Sequence, residues 1–459
     1  MIKESKIAVA LSKFYVLKSI GYICIVLFLF NCKQSKVNQV IVSGLGDIET
    51  SNEDLLDLVQ KQTFKYFWDF AEPNSGLTKE RSQGDAYEGD SQKMITIGGS
   101  GFGISCFPIA VNRGWISRQE AIQRLNKILN FLENAETYHG AFSHWYLGDT
   151  GETRVFGKKD DGGDIVETAF LIQGLLINRQ FFSENIPEEN IIRERITTIW
   201  ENVEWNWYAK GNSSMSWHWS PKEEFSLNLN VSGWNEALIV YVLAAASPTY
   251  PIKKEVYDNG WARKGDMKNG KMFYGHKLPL GEDLGGPLFL SHYSFIGIDP
   301  RGLKDAYCNN YFKQNKAHAL INYEYCKANP KGFKGYNENS WGLTASDNHQ
   351  GYSAHSPTND LGIITPTAAL SSFPYTPEES TKALKHFYKR KDELWGEYGF
   401  YDAFSDEFNW VADGYLAIDQ GPIIAMIENY RTQLLWNLFM KDNDVKRGLK
   451  KLGFTSPNI

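Results

Sequence analysis

Residues 164–179 read DIVETAFLIQGLLINR, an acidic entry followed by a run that is apolar on nearly every side. A helix of that kind is buried all round, so it belongs inside a larger helical assembly. Five further segments share its character. They begin at Gly99 (GSGFGISCFPIAVNRG), Ser232 (SGWNEALIVYVLAAASP), Pro287 (PLFLSHYSFIGIDPRG), Asp360 (DLGIITPTAALSSFP) and Ala417 (AIDQGPIIAMIENYR). Starts separated by 65, 68, 55, 73 and 57 residues are too far apart and too uneven for an α-solenoid, whose repeats are short and regular. Amphipathic stretches lie between them: 53–71, 117–135, 187–205, a weak one after Pro251, 302–328 and 377–394. Ser117 with Glu120 spells a capping box, and Pro377 followed by Glu378 and Glu379 is a helix start. Six buried helices alternating with six half-exposed ones predict an all-α protein, an (α/α)6 barrel with parallel inner helices. Its long aromatic loops are expected to build a cleft on one face. The fourth pair is the weakest in this pattern.

The chain has 459 residues, is 42% hydrophobic and 14% aromatic, and carries a formal net charge of −6. That composition excludes a disordered chain and argues against a nucleic-acid partner. Lys3, Lys6, Lys13 and Lys18 precede the uncharged stretch 20–30, which reads as an export signal over residues 1–31 and is too short to span a bilayer. Cys32 follows Leu29, Phe30 and Asn31, close to a bacterial lipobox, although Asn31 replaces the usual small residue. The expectation is lipidation at Cys32, a polar tether over 32–50, a catalytic barrel over 51–459, and a periplasmic or cell-envelope location with a membrane anchor. Loss of residues 1–31 leaves a net charge near −9, which suits a neutral ligand better than a phosphate. Cys106, Cys308 and Cys326 have no CxxC spacing and predict neither a zinc site nor a disulfide framework.

Parallel inner helices bring their starts to one face, so the polar residues at those starts share a pocket. Asp164 and Glu167 lie at i and i+3 on one helix face, and Glu236 opens the third inner segment. An acidic residue at a helix start also caps free N–H groups, and Asp164 is in part such a cap. Glu167 and Glu236 run into apolar sequence without Lys or Arg on the next turn, which raises a carboxyl pKa and suits a general acid. Carboxylates facing one another across an aromatic mouth are the constellation of glycoside hydrolysis. Asp164, Glu167 and Glu236 are therefore the catalytic candidates, with acid and base expected from different helices. Candidate sugar contacts are Asp160, Asp161, His144, Trp145, Trp217, Trp234, His292, Tyr293, Asp419 and Gln420.

The string Asp160-Asp161-Gly162-Gly163-Asp164 resembles the magnesium-binding DDxxD of terpene synthases, but two glycines would break the continuous helix that motif needs. No HExxH, GxSxG or P-loop string is present, and no metal or cofactor is expected. The motifs GGSGFG (98–103), NRGW (112–115), FSHW (142–145), DGGDIVETAFLIQGLL (161–176), GWNEALIVYVLAAASP (233–248), SHYSFIGIDPRG (291–302) and DGYLAIDQGP (413–422) make the chain resemble glycoside hydrolase family 144 from about Asp54 to Leu452. The resemblance implies an (α/α)6 barrel acting on β-1,2-glucan, typically as an endo-glucanase that inverts the anomeric centre without a metal. It also implies that Asp164, Glu167 and Glu236, with Asp160, are the important acids. Exo action, another linkage, or a noncatalytic glycan-binding lipoprotein remain as alternatives. A polysaccharide lyase would need cations for a uronic acid, and none marks these entries.

Overall fold

Ser51 caps the first helix, α1 (Asn52–Trp68), with its Oγ accepting the Asp54 N–H at 3.1 Å. The computed structural model describes residues 51–82, 92–209, 211 and 213–459. The expected export signal, Cys32 and the tether lie outside the described residues. From α1 the chain alternates outer and inner elements. The first inner helix is α2 (Ile97–Ser105), extended by α3 (Phe107–Asn112). Outer α4 (Arg118–Asn134) starts with the expected capping box at Ser117 and Glu120 and leads to inner α5 (Ile165–Phe181). Outer α6 (Pro187–Glu201) then leads to inner α7 (Leu238–Ala246).

The fourth pair departs from the expectation. Its outer element is the short α8 (Lys254–Val256) with a π turn at Tyr257–Trp261. Its inner element is two 3-10 turns, Leu288–Ser291 and Ser294–Ile296, rather than one helix. Pro287 and Pro300 bracket this stretch and leave no room for a long helix. The exposed backbone groups are satisfied from neighbouring helices. Gln173 of α5 donates to the Tyr293 carbonyl and accepts the Gly297 N–H, and Asn429 donates to the Ile296 carbonyl. Outer α9 (Tyr311–Ala328) begins at the Asn310 cap, later than expected, and precedes the five-residue inner helix α10 (Pro366–Leu370). Outer α11 (Pro377–Lys389) and the short α12 (Lys391–Leu394) lead to inner α13 (Ala417–Arg431). The chain ends with α14 (Leu434–Lys441) and α15 (Asn443–Leu452); α14 packs against α5 and α15 along α7.

The inner ring runs α2, α5, α7, the two 3-10 turns, α10 and α13, and closes where α13 packs back on α2. The Ile239 N–H of α7 bonds Ser294 Oγ at 3.0 Å, and His292 Nε2 meets Ser372 Oγ, just beyond α10, at 3.0 Å, which link the turns into the ring. The residues of α5 from Ile165 to Asn178 are all buried, as an apolar-all-round helix requires. Among the described residues, strands occur only in short two- and three-stranded sheets in the loops. The expected helix start near Gly233 falls instead at Leu238: Gly233 has φ +79°, and Asn235 Oδ1 accepts the Ala237 N–H at 2.9 Å in a local turn. Cys106, Cys308 and Cys326 are buried free thiols.

α2 and α5 approach closely enough that only glycine fits at their crossing. A Cβ on Gly101 would run into the Phe170 carbonyl, and one on Gly174 into the Gly101 carbonyl. Gly101→Ala and Gly174→Ala should each destabilise the barrel by about 1–3 kcal/mol through overpacking. The check is the urea unfolding midpoint, and a wild-type midpoint for either variant would mean the crossing has slack.

Candidate active site

Two short strand pairs stitch the aromatic loops onto the inner-helix starts. Gly163–Asp164 pairs antiparallel with His218–Trp219, placing Asp164 beside His218. Met94–Thr96 pairs with Trp145–Leu147, and the Ile97 N–H donates to the His144 carbonyl at 3.1 Å. The FSHW and WHW strings thus meet the entries of α2 and α5.

Asp164 is fully buried and caps α5: its Oδ1 accepts the N–H of Val166 at 2.9 Å and of Glu167 at 3.0 Å. Its Oδ2 takes His144 Nδ1 at 3.0 Å and Trp217 Nε1 at 3.3 Å. Both oxygens are committed, so Asp164 holds the site in shape.

Glu167 is buried one turn further on, with Oε2 accepting the Gly98 N–H at 2.7 Å and Oε1 4.0 Å from His144 Nε2. Gly98 is required there because a Cβ would overlap the Glu167 carboxylate. Burial pushes the Glu167 carboxyl up, against the attraction of His144. Burial opposes charge on His144, but Glu167 and Asp164, with Asp160 beyond, outweigh it and push its pKa up to about 9. The cation missing from the helix sequence therefore arrives from another loop, as an imidazolium between two carboxylates.

Glu236 is half-buried in the turn before α7. Burial, with Glu167 and Asp164 nearby, pushes its carboxyl up to about 7, and no cation among the described residues offsets this. Asp160 is likewise raised to about 7, first by burial and then by Asp164, and its Oδ1 lies 3.1 Å from His218 Nε2. Asp164, Glu167, His144, Asp160, Trp217 and Glu236 thus form one cluster.

The remaining candidates divide. Trp145 lines a cleft of about 970 Å³ beside this cluster. Tyr293 is buried, its ring against Phe102, Phe170 and Phe289, within the electrostatic reach of Glu236 and Glu167. Asp161 turns to the neighbouring loop between α6 and α7, accepting Ser220 Oγ at 2.5 Å and Lys222 Nζ at 3.2 Å. Trp234 packs into the core against Trp261, Phe295 and Tyr311. His292 is buried on Ser372, and burial holds its imidazole down to about 3, so it stays neutral. Gln420 donates to the Phe400 carbonyl from inside the barrel. Asp419 is buried in the first turn of α13.

The sequence reading passed over the far wall of the cleft. Glu80, Arg81, Asp347, His349, Tyr352 and Trp410 line it. Arg81 binds Glu80 at 2.9 Å and Asp347 at 3.2 Å, and the Asp347 N–H donates to Asp402 Oδ2 at 2.8 Å. These residues sit on loops without helical period; only their acidic and aromatic types could have drawn notice. Ligand atoms of His144, Asp160 and Asp164 lie within 4.8 Å of one another, a spacing a cation could use. The His144 Nδ1 proton bound to Asp164, and the full complement of donors on Asp164, compete with that use.

The Glycoamylase family model, described as glucoamylase, matches residues 228–443. The structure of an endo-β-1,2-glucanase from Chitinophaga pinensis, in complex with sophorotriose and glucose, is 50% identical. The match covers 89% of this chain and 100% of that one, with a TM-score of 0.87. An exo β-1,2-glucooligosaccharide sophorohydrolase acting at the non-reducing end, from Parabacteroides distasonis, is 46% identical over 425 residues, or 88% of this chain. The chain spans 58% of the length of that curated relative. An endo-β-1,2-glucanase from Talaromyces funiculosus with sophorose shares the fold at 9% identity, with a TM-score of 0.62 over 88% of this chain and 91% of that one. Half the residues are identical across the whole of the Chitinophaga chain, and the motifs at the inner-helix starts form one cluster, so the chain belongs to glycoside hydrolase family 144.

Proposed function

We propose that this protein hydrolyses β-1,2-linked glucan, cutting within the chain and inverting the anomeric centre. Glu236 carries the reading. Its carboxyl sits near pKa 7 at the barrel mouth, so at neutral pH a large fraction holds a proton to give to a leaving oxygen. Near it, the Asp164 and Glu167 carboxyls, with the His144 imidazolium beside them, give an acidic surround where positive character develops at the anomeric carbon. Trp145, Tyr352 and Trp410 along the cleft offer flat faces for sugar rings. The acid-rich mouth favours a neutral glucan over a uronate, which speaks against a lyase. The β-1,2 linkage is supported by the names of the Chitinophaga and Parabacteroides relatives. Endo action is supported by the match to the Chitinophaga enzyme, all of which the chain covers.

Glu236→Gln should lower kcat by about 10²- to 10⁴-fold with little change in Tm, because the amide keeps the shape and loses the proton. In the wild type kcat/KM should fall as pH rises through about 7, where Glu236 loses that proton. Normal turnover in the variant would remove Glu236 from the mechanism.

Products of linear β-1,2-glucan distinguish the modes. Endo action gives a spread of oligosaccharides early in the reaction, exo action gives one short product, and a binding protein gives none. Proton NMR of the first-formed reducing ends should show the α-anomer, and a first-formed β-anomer would overturn inversion.

Export and lipid anchoring at Cys32 belong to the same reading, on the strength of the basic and apolar pattern before it. Cys32→Ala should move the expressed protein from the membrane fraction to the soluble one. Unchanged fractionation would count against the anchor.

A further inference from the structure

His144 has its two ring nitrogens committed in different directions. Nδ1 meets Asp164 Oδ2 at 3.0 Å, and Nε2 faces Glu167 Oε1 at 4.0 Å. One ring orientation serves both, because a half-turn about the Cβ–Cγ bond would put ring carbons where the nitrogens stand. The bond to Asp164 fixes one edge of the ring and leaves it free to tilt. The face needs a support of its own, and Phe156 supplies it: the two ring centroids lie 4.3 Å apart with their planes 31° from parallel. Trp145 meets the imidazole edge-on at 5.3 Å and 82°, and Phe156 packs on Trp145 at 4.6 Å.

Backbone geometry brings Phe156 there. The strand Thr153–Arg154 pairs antiparallel with Trp145–Leu147, with Arg154 opposite Trp145. Carried two residues further, that register sets Phe156 across from Ser143, beside His144. The loop then closes on itself: the Phe156 and Gly157 N–H groups donate to the Asp160 carbonyl at 3.0 and 3.2 Å, and the Asp160 N–H donates to the Gly157 carbonyl at 2.8 Å. Its far end is held where Asp160 Oδ1 lies 3.1 Å from His218 Nε2. Phe156 stays 51% exposed, next to Val155 on the cleft lining, so burial contributes little to keeping its ring in place. The ring instead covers the imidazole, which is left 22% exposed. A ring face this close attracts a protonated imidazole and keeps water from competing for its N–H.

We propose that Phe156 is a positioning residue: its ring clamps the His144 imidazole in line between Asp164 and Glu167 and shuts water out of that line. Without the ring the imidazole tilts toward the cleft and shares its Nδ1–H with water. Asp164 and Glu167 then lose a fixed partner at the moment charge develops on the sugar. The effect on turnover rests on the hydrolase reading above. The clamp itself is a property of the free protein, so it can be read without substrate.

Two readouts test this. The first is proton NMR of the free protein: a shielded, hydrogen-bonded imidazole N–H exchanges slowly enough to give a resonance downfield of the backbone amides, and an open one does not. The wild type should show such a resonance, and His144→Gln should remove it. The second is kcat and KM on linear β-1,2-glucan. Phe156→Ala should lose the resonance, lower kcat about 10-fold and leave KM within a few-fold, with Tm near that of the wild type because the ring is half-exposed. Phe156→Tyr keeps the ring face and should restore both the resonance and kcat. The role is overturned if the wild type shows no resonance that His144→Gln removes, or if Phe156→Ala keeps both resonance and kcat. A raised KM alone, with wild-type kcat, would also overturn it and make Phe156 a sugar contact instead. If Phe156→Ala does not fold, Phe156→Leu decides by the same two readouts. A wild type that kept the resonance but released no sugar would sink the hydrolase reading and leave the clamp standing.

Discussion

The Asp164 carboxylate accepts hydrogen bonds from two backbone N–H groups of α5, the His144 imidazole and the Trp217 indole. Three separate stretches of chain converge on that one side chain. The cap defines where α5 begins, the imidazole fixes the loop from α4, and the indole fixes the loop from α6. A buried carboxylate is costly unless its lone pairs are filled, and here the donors that fill them are also the scaffold of the site. Removing it would leave an uncapped helix, an unheld imidazolium and a free indole together.

The mouth of the barrel is crowded with acid, and the fold handles the charge in three ways. Asp164 and Glu167 share one imidazolium with Asp160 nearby. Arg81 holds Glu80 and Asp347 on the opposite wall. Asp402, Asp419 and Glu236 have no ion-pair partner among the described residues, and burial pushes them toward their neutral forms. Burial pushes these carboxyls up, and a neighbouring cation opposes that shift where one is present.

The fourth pair shows how the ring tolerates a missing helix. Two 3-10 turns cannot bury their backbone unaided, and Gln173, Asn429 and Trp436 reach in to bond the carbonyls or N–H groups of residues 293–297. Tyr293, between the two turns, lays its ring against Phe102, Phe170 and Phe289. Gln173 of α5 and Asn429 of α13 are the polar side chains inside the inner helices that satisfy this irregular backbone.

Much of this was legible in the amino-acid order. Periodicity alone separates inner from outer helices, because burial on all sides and burial on one side leave different patterns. Asp164, Glu167 and Glu236 were visible as acids entering apolar runs, since a helix start is a local feature. Trp234 and His292 were placed in the site by their neighbours in sequence, and packing put them in the core instead. Asp402, Asp347 and Arg81 carried no local signal, as loop residues have no period to mark them. The sequence by itself determined the helical barrel and the acids at its inner-helix starts, because those depend on contacts within a few residues. Only the tertiary structure decided which cation answers which carboxylate, because those pairings join residues far apart in the chain.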